Sequence, residues 1–341
     1  MKRLRKAKNC EIILNYDCNA RCPFCYHSQE QIKEFSYRMP FQDVAKALYE
    51  GRKNGAFVAY LIGGETTLHP DLPKIAAFAR KVGYPYIQVL SNGLKLADFK
   101  YVKKLTDSGV NLFRLSVHGP NEKIHDKLVG VEGAFRKIMK AAENIERLGA
   151  EITVNHALNK VNYKCIEDTL KLLTKKMGVS DFNIIFPHYT GTMKEHLDML
   201  QVRVSETLPY VRSALRFLEK NKIEVENAIF INFTPCNLPE AVHLMTEWEE
   251  PQKDLRDETM YHLEGYKNRI YELAGKLRRK NRTCVKCIYN KRCLGFEKWY
   301  FEMFGGKEYR PVLKPRKQLN IKPTYRKLKE FARRLNDTTR A

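Results

Sequence analysis

Residues 56–93 read AFVAYLIGGETTLHPDLPKIAAFARKVGYPYIQVLSNG. The β-branched and aromatic run AFVAYLIGG gives way to LPKIAAFARKVG, whose apolar residues recur at helical spacing and which closes on a Gly suited to a helix C-terminus. A second β run, YIQVLSNG, follows. Strand, helix and strand in one stretch form the unit of a parallel sheet with a crossover helix. The same rhythm extends both ways. CEIILNY precedes it, NLFRLSVHG, EITVNHAL and DFNIIFPH follow, and FQDVAKALYEGRKNG, LADFKYVKKLTDSG, GAFRKIMKAAENIERLG and YKCIEDTLKLLTKKMG lie between, each closing on Gly. A further helix is expected in SETLPYVRSALRFLEKNK. Six strand units are too few to close an eight-stranded barrel. The expected fold is therefore α/β, a partial (βα)6 TIM-like barrel over residues 1–230, open on one side.

In such folds the loops beyond the C-terminal strand ends carry the chemistry. Here those ends are polar: Gly63, Gly64, Glu65 and Thr66 after the second strand, Ser91 and Asn92 after the third, Ser116 and His118 after the fourth, Asn155 and His156 at the fifth. The first strand runs into DCNARCPFCY, which places Cys18, Cys22 and Cys25 on one short loop. Thiolates are the usual ligands of iron-sulfur clusters, and three of them leave one iron of a [4Fe-4S] cubane open to a substrate or cofactor. A zinc site is the alternative, but it wants a fourth Cys or His and favours C-x2-C pairs.

This loop, with the aromatic Tyr26 after it, closely resembles that of the radical S-adenosylmethionine (radical SAM) enzymes. Further segments of this chain resemble the same family in the right order, from about Ile12 to Gly191. The GGET run is similar to its GGEP motif, Thr66 standing where Pro is usual; the resemblance implies that Gly63, Gly64 and Glu65 hold the amino group of SAM. Ser91 and Asn92 in LSNG and Ser116 in RLSVHG match segments that contact the ribose or carboxylate of SAM. Phe186 and Pro187 in IIFPHYTG match the segment that packs on its adenine. Ordinary turn chemistry for the Ser and Asn residues, local hydrogen bonding for His118 and His125, and core packing for Phe186 are the competing readings.

The late cysteines are Cys236 in INFTPCNLPE and Cys284, Cys287 and Cys293 in RTCVKCIYNKRCLGF. The C-x2-C-x5-C spacing resembles the SPASM and twitch extensions of radical SAM enzymes, which hold auxiliary [4Fe-4S] clusters. SPASM sequences continue to another Cys where this chain has Glu297. Four thiolates suffice for one fully ligated cluster and not for two. A twitch-like, single-cluster extension over residues 231–305 is expected, with a four-thiolate zinc knuckle as the alternative. Cys10 and Cys165 are expected in the core.

Nine Cys in 341 residues are too few and too clustered for a disulfide scaffold. No apolar stretch follows the basic MKRLRKAK, and none is long enough to span a bilayer, so a cytoplasmic protein is expected. The net charge is +22, 61 basic against 39 acidic residues. From Gly306 onward 12 basic and 3 acidic residues give +9, marking residues 306–341 as a basic tail. Such a run suits a polyanionic partner or is merely a solvated face. With Tyr309, Tyr325 and Phe331 interleaved, it could track RNA, or those rings could pack on the barrel.

The resemblance implies reductive cleavage of SAM to a 5′-deoxyadenosyl radical that takes hydrogen from a substrate. It also implies an electron donor such as flavodoxin or ferredoxin. A peptide is the first substrate class, a small metabolite or cofactor precursor the second and RNA the third. A non-catalytic iron-sulfur scaffold or electron carrier is the alternative, against which the intact GGE and LSNG segments argue.

Overall fold

The computed structural model describes residues 8–27, 38–246, 259–261, 267–269, 277–327 and 329–330. Strands β1 (Lys8–Ile13), β2 (Ala56–Ile62), β3 (Tyr86–Ser91), β4 (Leu112–Ser116), β5 (Glu151–Ala157), β6 (Phe182–Ile185) and β7 (Phe230–Ile231) pair in unbroken chain order, all parallel. Helices α1 (Phe41–Lys53), α2 (Leu72–Lys81), α3 (Phe99–Asp107), α4 (Glu122–Val129), α5 (Ala134–Arg147), α6 (Ile166–Lys171) and α7 (Val204–Lys220) connect them. The expected partial barrel is thus present. The glycines predicted to end its helices, Gly55, Gly83, Gly109, Gly149 and Gly178, all have positive φ.

Two features depart from the six-unit expectation. The seventh strand straddles the boundary placed at residue 230; with only two residues in its ladder it carries too short an apolar run to be read from sequence. At the other edge β1 also pairs with β8 (Thr259–Tyr261), parallel, and β8 pairs with β9 (Lys267–Arg269), antiparallel. Part of the segment expected to belong to the extension therefore completes the sheet. Helix α4 was not anticipated either; it lies in the polar run NEKIHDKLV, capped by the side chain of Asn121 on Ile124 N (3.1 Å).

Alternation along each strand separates two faces. Ile12, Leu61, Val89, Phe113, Leu115 and Val154 are fully buried. Their neighbours Glu11, Tyr60, Leu90, Arg114, Ser116 and Asn155 are half-buried on the opposite, concave face. Closed barrels fill that face with bulky branched residues; this one leaves a polar chamber. Cys10 is buried as expected, and Cys165 is half-buried with its Sγ 3.1 Å from Asn162 O.

Beyond the sheet, β10 (Arg278–Arg279) and β11 (Phe296–Glu297) pair antiparallel and lead into α8 (Lys298–Phe304). The first part of the basic tail is docked on the body. Thr324 N and Tyr325 N donate to Val225 O and Glu226 O (2.9 Å each), and Lys327 Nζ meets Glu151 (2.9 Å) and Asp181 (3.5 Å). Tyr309 is buried, stacked on Phe296 at 3.8 Å between centroids. Both rings serve packing; Phe331 lies outside the described residues. Among the described residues no helix is long and apolar enough to cross a membrane.

Candidate functional site

The loop carrying Cys18, Cys22 and Cys25 leaves the C-terminal end of β1 and is clamped on three sides. Beside β2, Gly64 N donates to Asn15 O and Glu65 N to Asp17 O, both at 2.8 Å. Asn15 Nδ2 closes the base of the loop, reaching Asp17 O (3.0 Å), Asp17 Oδ1 (2.7 Å) and Glu65 O (3.0 Å). A Cβ on Gly64 would stand 2.2 Å from Tyr16 O, and one on Gly63 2.6 Å from Asn15 O. The glycine pair was expected to let backbone approach a ligand; the close approach seen here is that of the loop itself. On a second side the end of α4 holds Arg21, whose N donates to Val129 O at 2.9 Å. On the third, Thr192 N and Oγ1 both donate to His27 O (3.1 and 2.9 Å), while Gly191 lies so close that a Cβ there would stand 2.3 Å from Tyr26 O.

The three sulfurs are half-buried and within electrostatic reach of one another. Burial pushes the Cys18 thiol up to about 11, against the backbone N–H of Ala20, which points at its Sγ (3.4 Å). Burial likewise raises Cys22, reinforced by Cys25 and Cys18, and raises Cys25. Thiols held protonated in this way ionise when a cation supplies the missing positive charge. N–H groups aimed at sulfur are among the means by which proteins tune iron-sulfur centres. Among the described residues no group of three or more Cys, His, Asp or Glu is arranged to close on a metal ion. A tetrahedral zinc site would want a fourth Cys or His beside the trio, whereas a [4Fe-4S] cubane takes three thiolates at separate corners and leaves its fourth iron open.

Glu65 sits directly beneath this loop, fully buried. Its Oε1 accepts from Thr67 N (3.1 Å), Thr67 Oγ1 (2.5 Å) and Ser91 Oγ (2.8 Å), and its Oε2 from Asn92 N (2.7 Å). Burial raises its pKa, and these donors work the other way. Three of the residues singled out in the sequence, Glu65, Ser91 and Asn92, thus form one network. Asn92 carries it to the thiols, its Nδ2 lying 2.8 Å from Asn19 Oδ1 and 3.9 Å from Cys18 Sγ. Oε1 is crowded with donors while Oε2 holds only one, so a ligand ammonium has a single oxygen to approach. Thr66 is buried with its Oγ1 unpartnered.

At the other cysteine set, Cys236 joins Cys284, Cys287 and Cys293 in lining one cavity of about 380 Å³, its open mouth included. Each of the four sulfurs has a polar neighbour: Thr234 Oγ1 at 3.0 Å from Cys236, Val312 N at 3.4 Å from Cys287, Gly295 N at 3.3 Å from Cys293, and Asn281 Oδ1 at 3.4 Å from Cys284. Burial, then the other three cysteines, pushes Cys236 up to about 12. Glu297, standing where SPASM sequences have Cys, is absent from this lining. It caps α8 through Tyr300 N (2.9 Å), and its buried Oε1, without a hydrogen bond, faces His188 Nδ1 at 4.0 Å.

Comparison with known proteins agrees with this geometry. The pattern of the radical SAM superfamily matches residues 12–173, the span from β1 and its cysteine loop to the helices before β6. Residues 12–173 are a radical SAM domain. It is 27% identical over 207 residues to the probable GTP 3′,8-cyclase of Saccharolobus solfataricus, covering 58% of this chain and 64% of that one. It is 31% identical over 160 residues to the Fe-coproporphyrin III synthase of Methanosarcina barkeri, covering 47% and 39%. The chain thus spans less than two thirds of the length of these relatives. In fold it is similar to Streptococcus suis SuiB bound to precursor peptide SuiA (TM-score 0.65, 15% identity, 90% of this chain and 75% of that one). It is also similar to anSMEcpe with bound AdoMet and the Kp18Cys peptide (TM-score 0.60, 16% identity, 98% and 100%). Radical SAM proteins use a [4Fe-4S] cluster and SAM, and the three-thiol loop fits such a cluster.

Within this radical SAM domain the remaining sequence-derived residues divide. Tyr26 is 51% exposed, its ring tilted on His27 and its hydroxyl within electrostatic reach of Glu11 and Tyr60, so it overlooks the chamber. Ser116 is half-buried at the rim beside Asn155. Phe186 is not on the rim: it is buried between Phe233 and Tyr300 (5.5 Å each), and Pro187 is buried next to it, so the side chain expected on adenine packs the junction with the extension. His118, His125 and His156 are buried with pKa values lowered by burial, and their Nδ1 atoms bond backbone groups. They act locally.

Sequence reading missed the chamber wall. Arg114 Nη1 donates to Asn155 Oδ1 (3.3 Å), which also accepts from Asn183 (3.0 Å); Arg114 Nη2 lies 3.8 Å from Asp181, and its buried Nε has no partner. Burial pushes Glu11 up to about 7 against the pull of Arg114. The signal was the strand alternation itself, with polar residues on the inward positions.

Proposed function

We propose that this protein is a cytoplasmic radical SAM enzyme that cleaves SAM reductively and abstracts hydrogen from a substrate in the concave chamber. The observation that carries the reading is the trio of thiols fixed over the Glu65–Ser91–Asn92 network at the C-terminal strand ends. Cys18, Cys22 and Cys25 would hold a [4Fe-4S] cluster; when bound and reduced, such a cluster supplies the electron that splits SAM into methionine and a 5′-deoxyadenosyl radical. Glu65 Oε2 and the backbone around Gly63 and Gly64 receive the ammonium of SAM, and Ser116 with Asn92 receives its carboxylate and ribose. Tyr26, Arg114 and Asn155 face the substrate. Cys236, Cys284, Cys287 and Cys293 would hold one auxiliary cluster in a twitch-like extension.

For the substrate we favour a peptide. The neighbours solved with peptides are similar in fold to this chain over 90% and 98% of its length. A small cofactor precursor is the second reading, supported by the names of the sequence relatives. The test is anaerobic reconstitution, reduction with dithionite and quantification of 5′-deoxyadenosine. Formation in wild type and its loss in Cys18→Ala/Cys22→Ala/Cys25→Ala are expected; equal yields would refute the assignment.

A further inference from the structure

Arg114 is a largely buried cation without a close counter-ion, its side chain 15% exposed. It lies midway along β4 on the concave face, two residues and so roughly 6–7 Å below Ser116 at the rim. Among the described residues its guanidinium donates one hydrogen bond, from Nη1 to Asn155 Oδ1 at 3.3 Å. Asp181 Oδ1 stops 3.8 Å from Nη2, beyond hydrogen-bond range, and Nε is buried with no partner. Asp181 is engaged elsewhere. Its Oδ2 accepts from Asn227 Nδ2 (3.1 Å) and lies 3.5 Å from Lys327 Nζ, which the docked tail brings in beside Glu151 (2.9 Å). Glu11 is within electrostatic reach of Arg114, but burial pushes its pKa up to about 7, so at neutral pH it supplies only part of a negative charge.

A buried charge paired this loosely lowers stability, and proteins retain such arrangements where function needs them. Space for a ligand is present, because Glu11, Tyr60, Leu90 and Asn155 stand in the middle of the fold yet are only half-buried. We propose that the Nε–Nη2 edge of Arg114 holds a carboxylate of the substrate. That edge is a planar fork, which pairs with a carboxylate through two parallel hydrogen bonds. A phosphate dianion would set a second negative charge near Asp181 and Glu11 that one guanidinium does not balance. In a peptide the carboxylate is an Asp or Glu side chain or the C-terminus. The inference rests on the radical SAM reading above. It also makes Lys327 a positioning residue: by holding Asp181, it leaves the fork of Arg114 open.

The probe is acetate, with acetamide as its uncharged counterpart and inorganic phosphate as a second anion, titrated calorimetrically at matched ionic strength into the reconstituted full chain with and without SAM. Acetate should bind equally in both states. Acetamide and phosphate should bind about tenfold more weakly or worse, and Arg114→Met should weaken acetate by about tenfold or more, the worth of a charge-assisted hydrogen bond. Without acetate, Arg114→Met should unfold at a temperature no lower than wild type; a clear drop would make Arg114 a structural partner of Asp181 and overturn the proposal. Lys327→Met should weaken acetate binding by letting Asp181 turn to Arg114, and adding Asp181→Asn should restore it; weakening without that rescue would remove the positioning role. Absence of acetate binding, binding that survives Arg114→Met, competition between acetate and SAM, or preference for phosphate overturns the proposal. Failure of dithionite-reduced wild type to form 5′-deoxyadenosine, with acetate binding intact, would overturn the enzymatic reading instead.

Discussion

The two cysteine sets solve different problems with the same side chain. The N-terminal trio comes from one loop of eight residues, Cys18 to Cys25, clamped by β2, α4 and the segment after β6. The late quartet is assembled from two segments, with Cys236 reaching a trio that lies far along the chain. A loop supplying three thiols at the mouth of an open barrel leaves room for a ligand. A cavity supplying four has none to spare.

The largest effect that separates them is catalytic. Replacing Cys18, Cys22 and Cys25 by Ala should abolish SAM cleavage, since no other side chain of the loop replaces a thiolate. Replacing Cys236, Cys284, Cys287 and Cys293 by Ser should leave uncoupled SAM cleavage within severalfold of wild type and lower iron from about eight to about four per chain, as the cluster formula requires. Iron and zinc analysis checks this; four iron and one zinc in wild type would make the quartet a zinc knuckle.

A glycine on each side sharpens the contrast. Gly64→Ala should destabilise the fold by about 1–3 kcal/mol through overpacking and strip iron from the first site only, because its Cβ would meet Tyr16 O at 2.2 Å. At Gly295, φ is +96° and a Cβ would meet Arg279 O at 2.1 Å, so Gly295→Ala should damage the second site only. Iron content and chemical denaturation distinguish the two outcomes. A change of similar size that spares the iron is expected for Ser91→Ala: loss of one hydrogen bond to the Glu65 carboxylate should cost about 1.5–3 kcal/mol and weaken SAM binding without removing iron.

The subtlest expectation concerns pH. Glu11 binds its proton more tightly in the folded chain than unfolded, so its contribution to stability declines as pH rises from about 4.5 to about 7 and is best retained below that window. Glu11→Gln should flatten that slope in denaturation measured across the window. An unchanged slope would place the group outside the chamber's titration.

Much of this was readable from sequence because the signals are local. Alternating runs gave β1 to β6, glycines gave the helix ends, and cysteine spacing gave the loop. What escaped depended on contacts between distant residues. The two-residue β7 owes its existence to β6, and the side of the sheet faced by Phe186 depends on α8, which offers Tyr300 as a partner. Whether the basic tail docks could not be decided until Glu151, Glu226 and Asp181, remote in sequence, appeared beside Lys327 and Arg326. The role of Gly63 and Gly64 likewise became clear only once the loop base was seen to occupy their space.

The measurement that bears most directly on the open-iron trio isolates it from the quartet. In the Cys236→Ser/Cys284→Ser/Cys287→Ser/Cys293→Ser protein, reconstituted and reduced, the electron paramagnetic resonance spectrum should be that of a single [4Fe-4S] cluster and should shift when SAM is added. A spectrum indifferent to SAM would contradict the account, because it would mean that the three thiols hold no cluster with an iron left for the cofactor.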